Sequence, residues 1–256
     1  KLESFNEAPV LAVLPKFKAK PGKDNRYGGA YSDNRFVESL RSLRTAILFK
    51  QEKTPPKVIA ITSSLPDEGK STVALHLAKS FSEMEKVLLI EADLRHPTVA
   101  KNLDLDPYRP GLSNLLAKTH QINECIVRNE ELKLDVLTSG ISPNNPLAFL
   151  SMKRFNMLIK VFGNFYDRII IETPPVNAVS DAVIISKVVE SVIYIVHSTK
   201  TTREQVVAGL KVLKQVNAPI EGIVVNQSRD IDTSKYQNKY YNDMANIIKL
   251  PIKKLG

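Results

Sequence analysis

The sequence predicts a doubly wound α/β domain: a mostly parallel sheet with helices packed on both faces. Two observations predict it. From about residue 57 onward, short β-branched runs alternate with longer segments of helical period, and the first run is followed by a loop that brings Gly-Lys-Ser to a helix start. The runs are apolar on both faces, which is how strands covered on both sides read, so the sheet is expected to be parallel with right-handed crossovers.

In chain order, NRFVESLRSLRTAILF (34–49) reads as an amphipathic helix with Asn34 as its cap. KVIAIT (57–62) is the first strand of the domain, and 71–85 carries helical spacing. KVLLIE (86–91) and LDVLTS (134–139) follow as strands, then a helix over 146–162. RIIIET (168–173), SVIYIV (191–196) and GIVVNQ (222–227) are the remaining strands, with helices over 179–188 and 203–216 between them. Residues 1–33 include PKFKAKPGKDNRYGGAYSD, rich in Lys, Gly and Pro, and read as a leading segment and linker. The expected plan is a segment over 1–33, a phosphate-loop domain over 34–228 and a polar tail over 229–256.

Composition narrows the function classes. A chain of 256 residues with 43% hydrophobic and 25% charged residues can bury one sizeable core. One cysteine, Cys125, excludes a disulfide framework. His76, His96, His120 and His197 are scattered without ligand spacing, so no zinc site is expected. No apolar run approaches the roughly 18 residues that span a bilayer. The net charge of +9 suits nucleic acid, an anionic membrane surface or a nucleotide pocket with a solvated basic face. No motif that reads RNA or DNA is present, and nucleic acid is not expected as a partner.

The chemistry concentrates in ITSSLPDEGKST, 61–72. Ser64, Pro66, Asp67, Glu68, Gly69, Lys70, Ser71 and Thr72 form a candidate nucleotide loop. Gly69 lets backbone N–H groups approach phosphates, Lys70 supplies charge to them, and the Ser71 hydroxyl can reach Mg²⁺. Ser64 stands where the usual first glycine would be. Glu91 and Asp93 close the second strand, and two positions apart they are expected to share a face and converge on one metal. Glu172 ends the fourth, at the carboxyl edge where ligands of such sheets bind. ATP and Mg²⁺ are therefore the expected cofactors.

SSLPDEGKST, LLIEADLRHP and IIIETPPV together resemble the bacterial tyrosine kinases, the cytoplasmic domains of polysaccharide co-polymerases. APVLAVLPK, ESLRSLRT, NPLAFL, VSDAVI, TTREQ and VVN extend the likeness over nearly the whole chain. Near its end stands KYQNKYYND, with Tyr236, Tyr240 and Tyr241 within six positions. The resemblance makes these tyrosines the enzyme's own phosphate acceptors, used in trans within a ring of subunits. It makes Glu38, Arg41 and Arg44 an oligomer contact, Glu91 the acceptor of the tyrosine proton or a metal-water ligand, Asp93 a metal ligand and Glu172 a support for the metal. It places Asn226 near the adenine and Arg95 near the phosphates or an interface. It also implies a juxtamembrane origin for the leading segment, a place on the cytoplasmic face of the bacterial inner membrane, a transmembrane and periplasmic co-polymerase part, a cognate tyrosine phosphatase and a role in exopolysaccharide or capsule assembly.

One departure stands out. The family carries aspartates where this chain has Glu91 and Glu172, and Mg²⁺ is exacting about ligand distance. A nucleotide-gated scaffold with little transfer activity is thus one alternative to an autokinase. A partitioning-type ATPase is another, although the extra lysine that those enzymes carry early in the loop is absent from residues 61–68.

Overall fold

A computed structural model of the chain describes residues 8–16, 33–49 and 54–229. The strands are β1 (Val10–Pro15), β2 (Val58–Ser63), β3 (Val87–Glu91), β4 (Ile126–Asn129), β5 (Leu134–Leu137), β6 (Arg168–Glu172), β7 (Ser191–His197) and β8 (Ile220–Ser228). They form one sheet in the order β1-β8-β7-β2-β6-β3-β5-β4. Every pairing is parallel except that of β4 with β5. The helices are α1 (Asn34–Leu48), α2 (Lys70–Ser82), α3 (Val99–Asn102), α4 (Leu112–Ala117), α5 (Ile122–Cys125), α6 (Pro146–Leu150), α7 (Lys153–Gly163), α8 (Asp181–Ile185) and α9 (Arg203–Gln215).

Period two decides which face each strand residue joins. Ile59 and Ile61 of β2 pack with Phe36, Leu40 and Leu43 of α1 and with Val73, Leu77 and Phe81 of α2. Val58 and Ala60 point the other way, into a second core with Phe155 and Phe162 of α7 and Val206 and Leu210 of α9. The sheet is therefore doubly wound, and its carboxyl edge carries the ends of β2, β3 and β6 side by side.

Four local features differ from the expected plan. The leading segment contains β1, which adds VLAVLP to the edge of the sheet against β8; the apolar run finds an open strand edge that the linker-like residues after it obscure. The helix over 34–49 is capped by Asp33 rather than Asn34, since the Asp33 carboxylate accepts from Arg35 N–H at 3.0 Å. The helix expected over 146–162 is two helices, because Met152 is extended between them. Residues 99–129 hold β4 and three helices of four to six residues, too short to show a period. The tyrosines Tyr236, Tyr240 and Tyr241 lie outside the described residues.

Candidate active site

The loop from Ser64 to Gly69 links the buried end of β2 to the first turn of α2. Its shape requires left-handed backbone at Asp67, φ 61°, and at Gly69, φ 87°. A Cβ at Gly69 would also collide with the Asn226 amide. Glycine is needed twice over, for conformation and for space. Asn226, near the end of β8, is buried and donates from Nδ2 to the Glu68 carbonyl at 2.9 Å. Glu68 is buried too, its Oε2 accepting from Leu65 N–H at 2.6 Å and its Oε1 from His197 N–H at 3.4 Å and the Thr201 hydroxyl. Ser64 Oγ lies 2.9 Å from Tyr194 Oη in the core. The side chains of Ser64, Glu68 and Asn226 thus brace the loop from below. Pro66 and Asp67 are exposed at its crest, and Gly69, Lys70, Ser71 and Thr72 are half-buried at the helix start.

Lys70 faces the strand ends. Its Nζ lies 2.9 Å from Glu172 Oε1 and 3.2 Å from Asp93 Oδ2. Ser71 Oγ donates to the same Glu172 oxygen at 2.9 Å. The structure brings these four side chains together from the first turn of α2, the end of β6 and the segment after β3. Glu91 arrives at the same strand edge, in register with Glu172, but β3 ends there and the alternation that was to pair it with Asp93 stops. Among the described residues the Glu91 carboxylate accepts only backbone N–H groups, those of Thr98, Val99 and Ser139. Asp93 Oδ1 accepts from Arg95 N–H and His96 N–H at 3.3 and 3.0 Å. Arg95 makes a two-pronged ion pair with buried Asp181, at 2.6 and 3.1 Å. Asp181 carries no motif that marks it in sequence; it is buried at the head of α8, and a buried carboxylate calls for a paired charge.

The electrostatics are those of a site short of positive charge. Burial works against the Lys70 ammonium, but Glu172 and then Asp93 outweigh it, and its pKa rises above 10.5. Burial pushes Glu172 up to about 7, against the pull of Lys70 and with help from Asp93 and Glu91. Glu91 is also raised, by burial first, with the N–H groups of Val99, Ser139 and Thr98 opposing. Glu172 Oε2 is buried without a hydrogen-bond partner among the described residues. An unpartnered carboxylate oxygen beside a hydroxyl and a second carboxylate fits a hard cation that takes oxygen ligands. No group of three or more His, Cys, Asp or Glu among the described residues holds a metal unaided. Mg²⁺ is commonly held by one or two carboxylates together with substrate phosphates.

The expected oligomer contact lies on α1. Glu38 and Arg41 are exposed and paired with each other at 2.5 Å, whereas Arg44 is half-buried and bonds the Ser80 carbonyl and Glu83 at the end of α2. An open cleft of about 710 Å³ near β4, bordered by Gln121, Arg128, Asp135 and Tyr166 among others, shares no residue with the Lys70 cluster. Among the described residues no helix is long and apolar enough to cross a membrane.

Known proteins similar to this chain decide its family. A family described as an AAA domain matches residues 56–223. The tyrosine-protein kinase YwqD of Bacillus subtilis is 36% identical over 212 residues, 82% of this chain and 88% of YwqD. The chain belongs to the bacterial tyrosine-protein kinases. The kinase domain of the Escherichia coli tyrosine kinase ETK matches this kinase at a TM-score of 0.81 and 28% identity, over 88% of this chain and 92% of that domain. The kinase is also 36% identical to the tyrosine-protein kinase Ptk of Acinetobacter johnsonii over 88% of its own length, but spans only 32% of Ptk. The septum site-determining protein MinD from Pyrococcus horikoshii, solved with Mg-ADP, matches over 71% of this chain and 76% of its own at a TM-score of 0.58 and 23% identity. That likeness shows the fold alone.

Proposed function

We propose that this kinase transfers the terminal phosphoryl group of ATP to the tail tyrosines Tyr236, Tyr240 and Tyr241 of a neighbouring copy. The observation that carries the reading is Lys70, held at the mouth of a braced phosphate loop between Asp93 and Glu172, with Ser71 on the same carboxylate. Backbone N–H groups at the start of α2 bind the phosphates, and Lys70 places its charge on the group in transfer. Ser71, Asp93 and Glu172 would hold Mg²⁺, which when bound neutralises charge on the phosphate oxygens. Glu172 supports this role despite its extra methylene, because it reaches both Lys70 and Ser71. Phosphoryl transfer is mainly positioning and charge stabilisation, which such a set can supply.

The tail suits the acceptor role: a polar segment with three tyrosines can enter a neighbour's site and leave it. Each phosphate adds close to two negative charges, roughly −1.5 to −2, and accumulated charge would loosen a ring held through Glu38, Arg41 and Arg44. By family resemblance the kinase acts at the cytoplasmic face of the inner membrane, joined to a co-polymerase part, regulating exopolysaccharide or capsule export and opposed by a tyrosine phosphatase.

Incubation with Mg²⁺ and ATP followed by phosphosite mapping tests the assignment. Phosphate is expected on the tail and is expected to disappear when all three tail tyrosines are replaced by Phe. Tyr108 supplies the internal comparison, because it is 84% exposed whereas Tyr166 and Tyr194 are buried. Undiminished labelling of the triple variant would reject the tail as substrate.

A further inference from the structure

Glu91 and Asp93, two positions apart, organise one loop by different means. The Glu91 side chain is fully buried. Its Oε1 accepts from Thr98 N–H at 2.5 Å and Val99 N–H at 2.6 Å, at the start of α3, and its Oε2 accepts from Ser139 N–H at 3.1 Å. Asp93 takes the N–H groups of Arg95 and His96 on Oδ1 and leaves Oδ2 facing Lys70. Arg95 then locks the same loop to Asp181. Residues 92–98 are therefore held at three points, and the outermost is Glu91.

Carboxylates that accept several N–H groups are stabilised in place by those charge-assisted bonds. The side chain reaches Thr98 and Val99 while its backbone stays in register with Glu172. We propose that Glu91 is a positioning residue for phosphoryl transfer: through the 92–98 loop it holds Asp93 against Lys70, and it does not touch the reacting phenol. This rests on reading the Lys70, Asp93 and Glu172 cluster as the transfer site.

The test is a double-mutant cycle on the full chain with Glu91→Gln, Asp93→Asn and the pair, with Glu91→Asp beside them. Glu91→Gln keeps the oxygen that bonds Thr98 and Val99 but sets an NH₂ against Ser139 N–H. It is expected to lower kcat about 10-fold with the KM for ATP unchanged, as a displacement well under an ångström does. In the Asp93→Asn background the same change is expected to cost less than about twofold, since the two act as one unit. Glu91→Asp falls short of α3 and is expected to lower kcat at least as much. It is also expected to speed amide exchange at Thr98 and Val99 and to weaken MgADP binding by calorimetry, both readable without catalysis.

An inactive Glu91→Gln beside a fully active Glu91→Asp would overturn the proposal and make Glu91 the proton acceptor. Additive losses in the cycle, or unchanged exchange at 98–99 in Glu91→Asp, would overturn it as well. Failure of the transfer-site reading looks different: the wild-type chain would itself form no phosphotyrosine, while the exchange result still judges Glu91.

Discussion

Glu172 sits fully buried with one oxygen on Lys70 and Ser71 and the other unpartnered. Its pKa, ordinarily 4.5, rises to about 7, so the folded chain holds this proton more tightly than the unfolded chain does. The sign follows. In nucleotide-free protein its contribution to stability is fully present below pH 4.5 and is lost as pH climbs to about 7, by roughly 3 kcal/mol at most. Urea unfolding at pH 5 and 7.5 should show the drop, and Glu172→Gln should flatten it; an equally steep slope in the variant would contradict the assignment. The local motif was legible in sequence as a loop at a helix start, because Gly69, Lys70 and Ser71 are contiguous and follow a buried strand. The braces were not. Glu68 bonds His197 and Thr201, and Glu91 bonds Ser139, across separations that no local pattern encodes. Asn226, expected near the adenine, donates its amide to the Glu68 carbonyl across a similar separation.

The elements that read clearly were those with enough length to display a period. β2, β3, β6 and β7 are apolar on both faces and fall within a residue or so of their expected bounds, as do α1 and α9. The short helices after β3 carry four to six residues each and no usable rhythm, and β1 hid inside a lysine- and proline-rich leader. Packing between elements also reaches the nucleotide loop. Gly209 of α9 leaves room for Tyr194 of β7: a Cβ there would collide with Tyr194 Oη and approach Val176 Cγ1 at 2.8 Å. Because Tyr194 Oη also meets Ser64 Oγ, Gly209→Ala should disturb the loop as well as the core. It is expected to destabilise the fold by about 1–3 kcal/mol and to raise the KM for ATP. Adding Tyr194→Phe, which removes the colliding oxygen, should recover part of the stability. A Gly209→Ala protein with unchanged unfolding midpoint and KM would show that α9 and the loop are uncoupled.

At the scale of the molecule, one architecture serves several chemistries, and the shared sheet does not choose among them. The likeness to MinD and to the tyrosine kinases is in both cases a likeness of fold. What separates them here is sequence kinship over most of the chain. The fold class was legible because the alternation of strand and helix persists through the whole domain. Arg44, on the helix before the domain's first strand run, has partners within its own chain, the Ser80 carbonyl and Glu83. Transfer between copies is decided by mixing two variants. Lys70→Met keeps its tail but lacks the cation at the phosphates; the triple tail Phe variant keeps Lys70 but has no acceptor. With Mg²⁺ and ATP, each alone should leave the tail unlabelled, and the mixture should carry phosphotyrosine on the tail of the Lys70→Met copy. A mixture as blank as its components, from a wild-type chain that labels its own tail, would contradict transfer from one subunit's Lys70 to another's tyrosines.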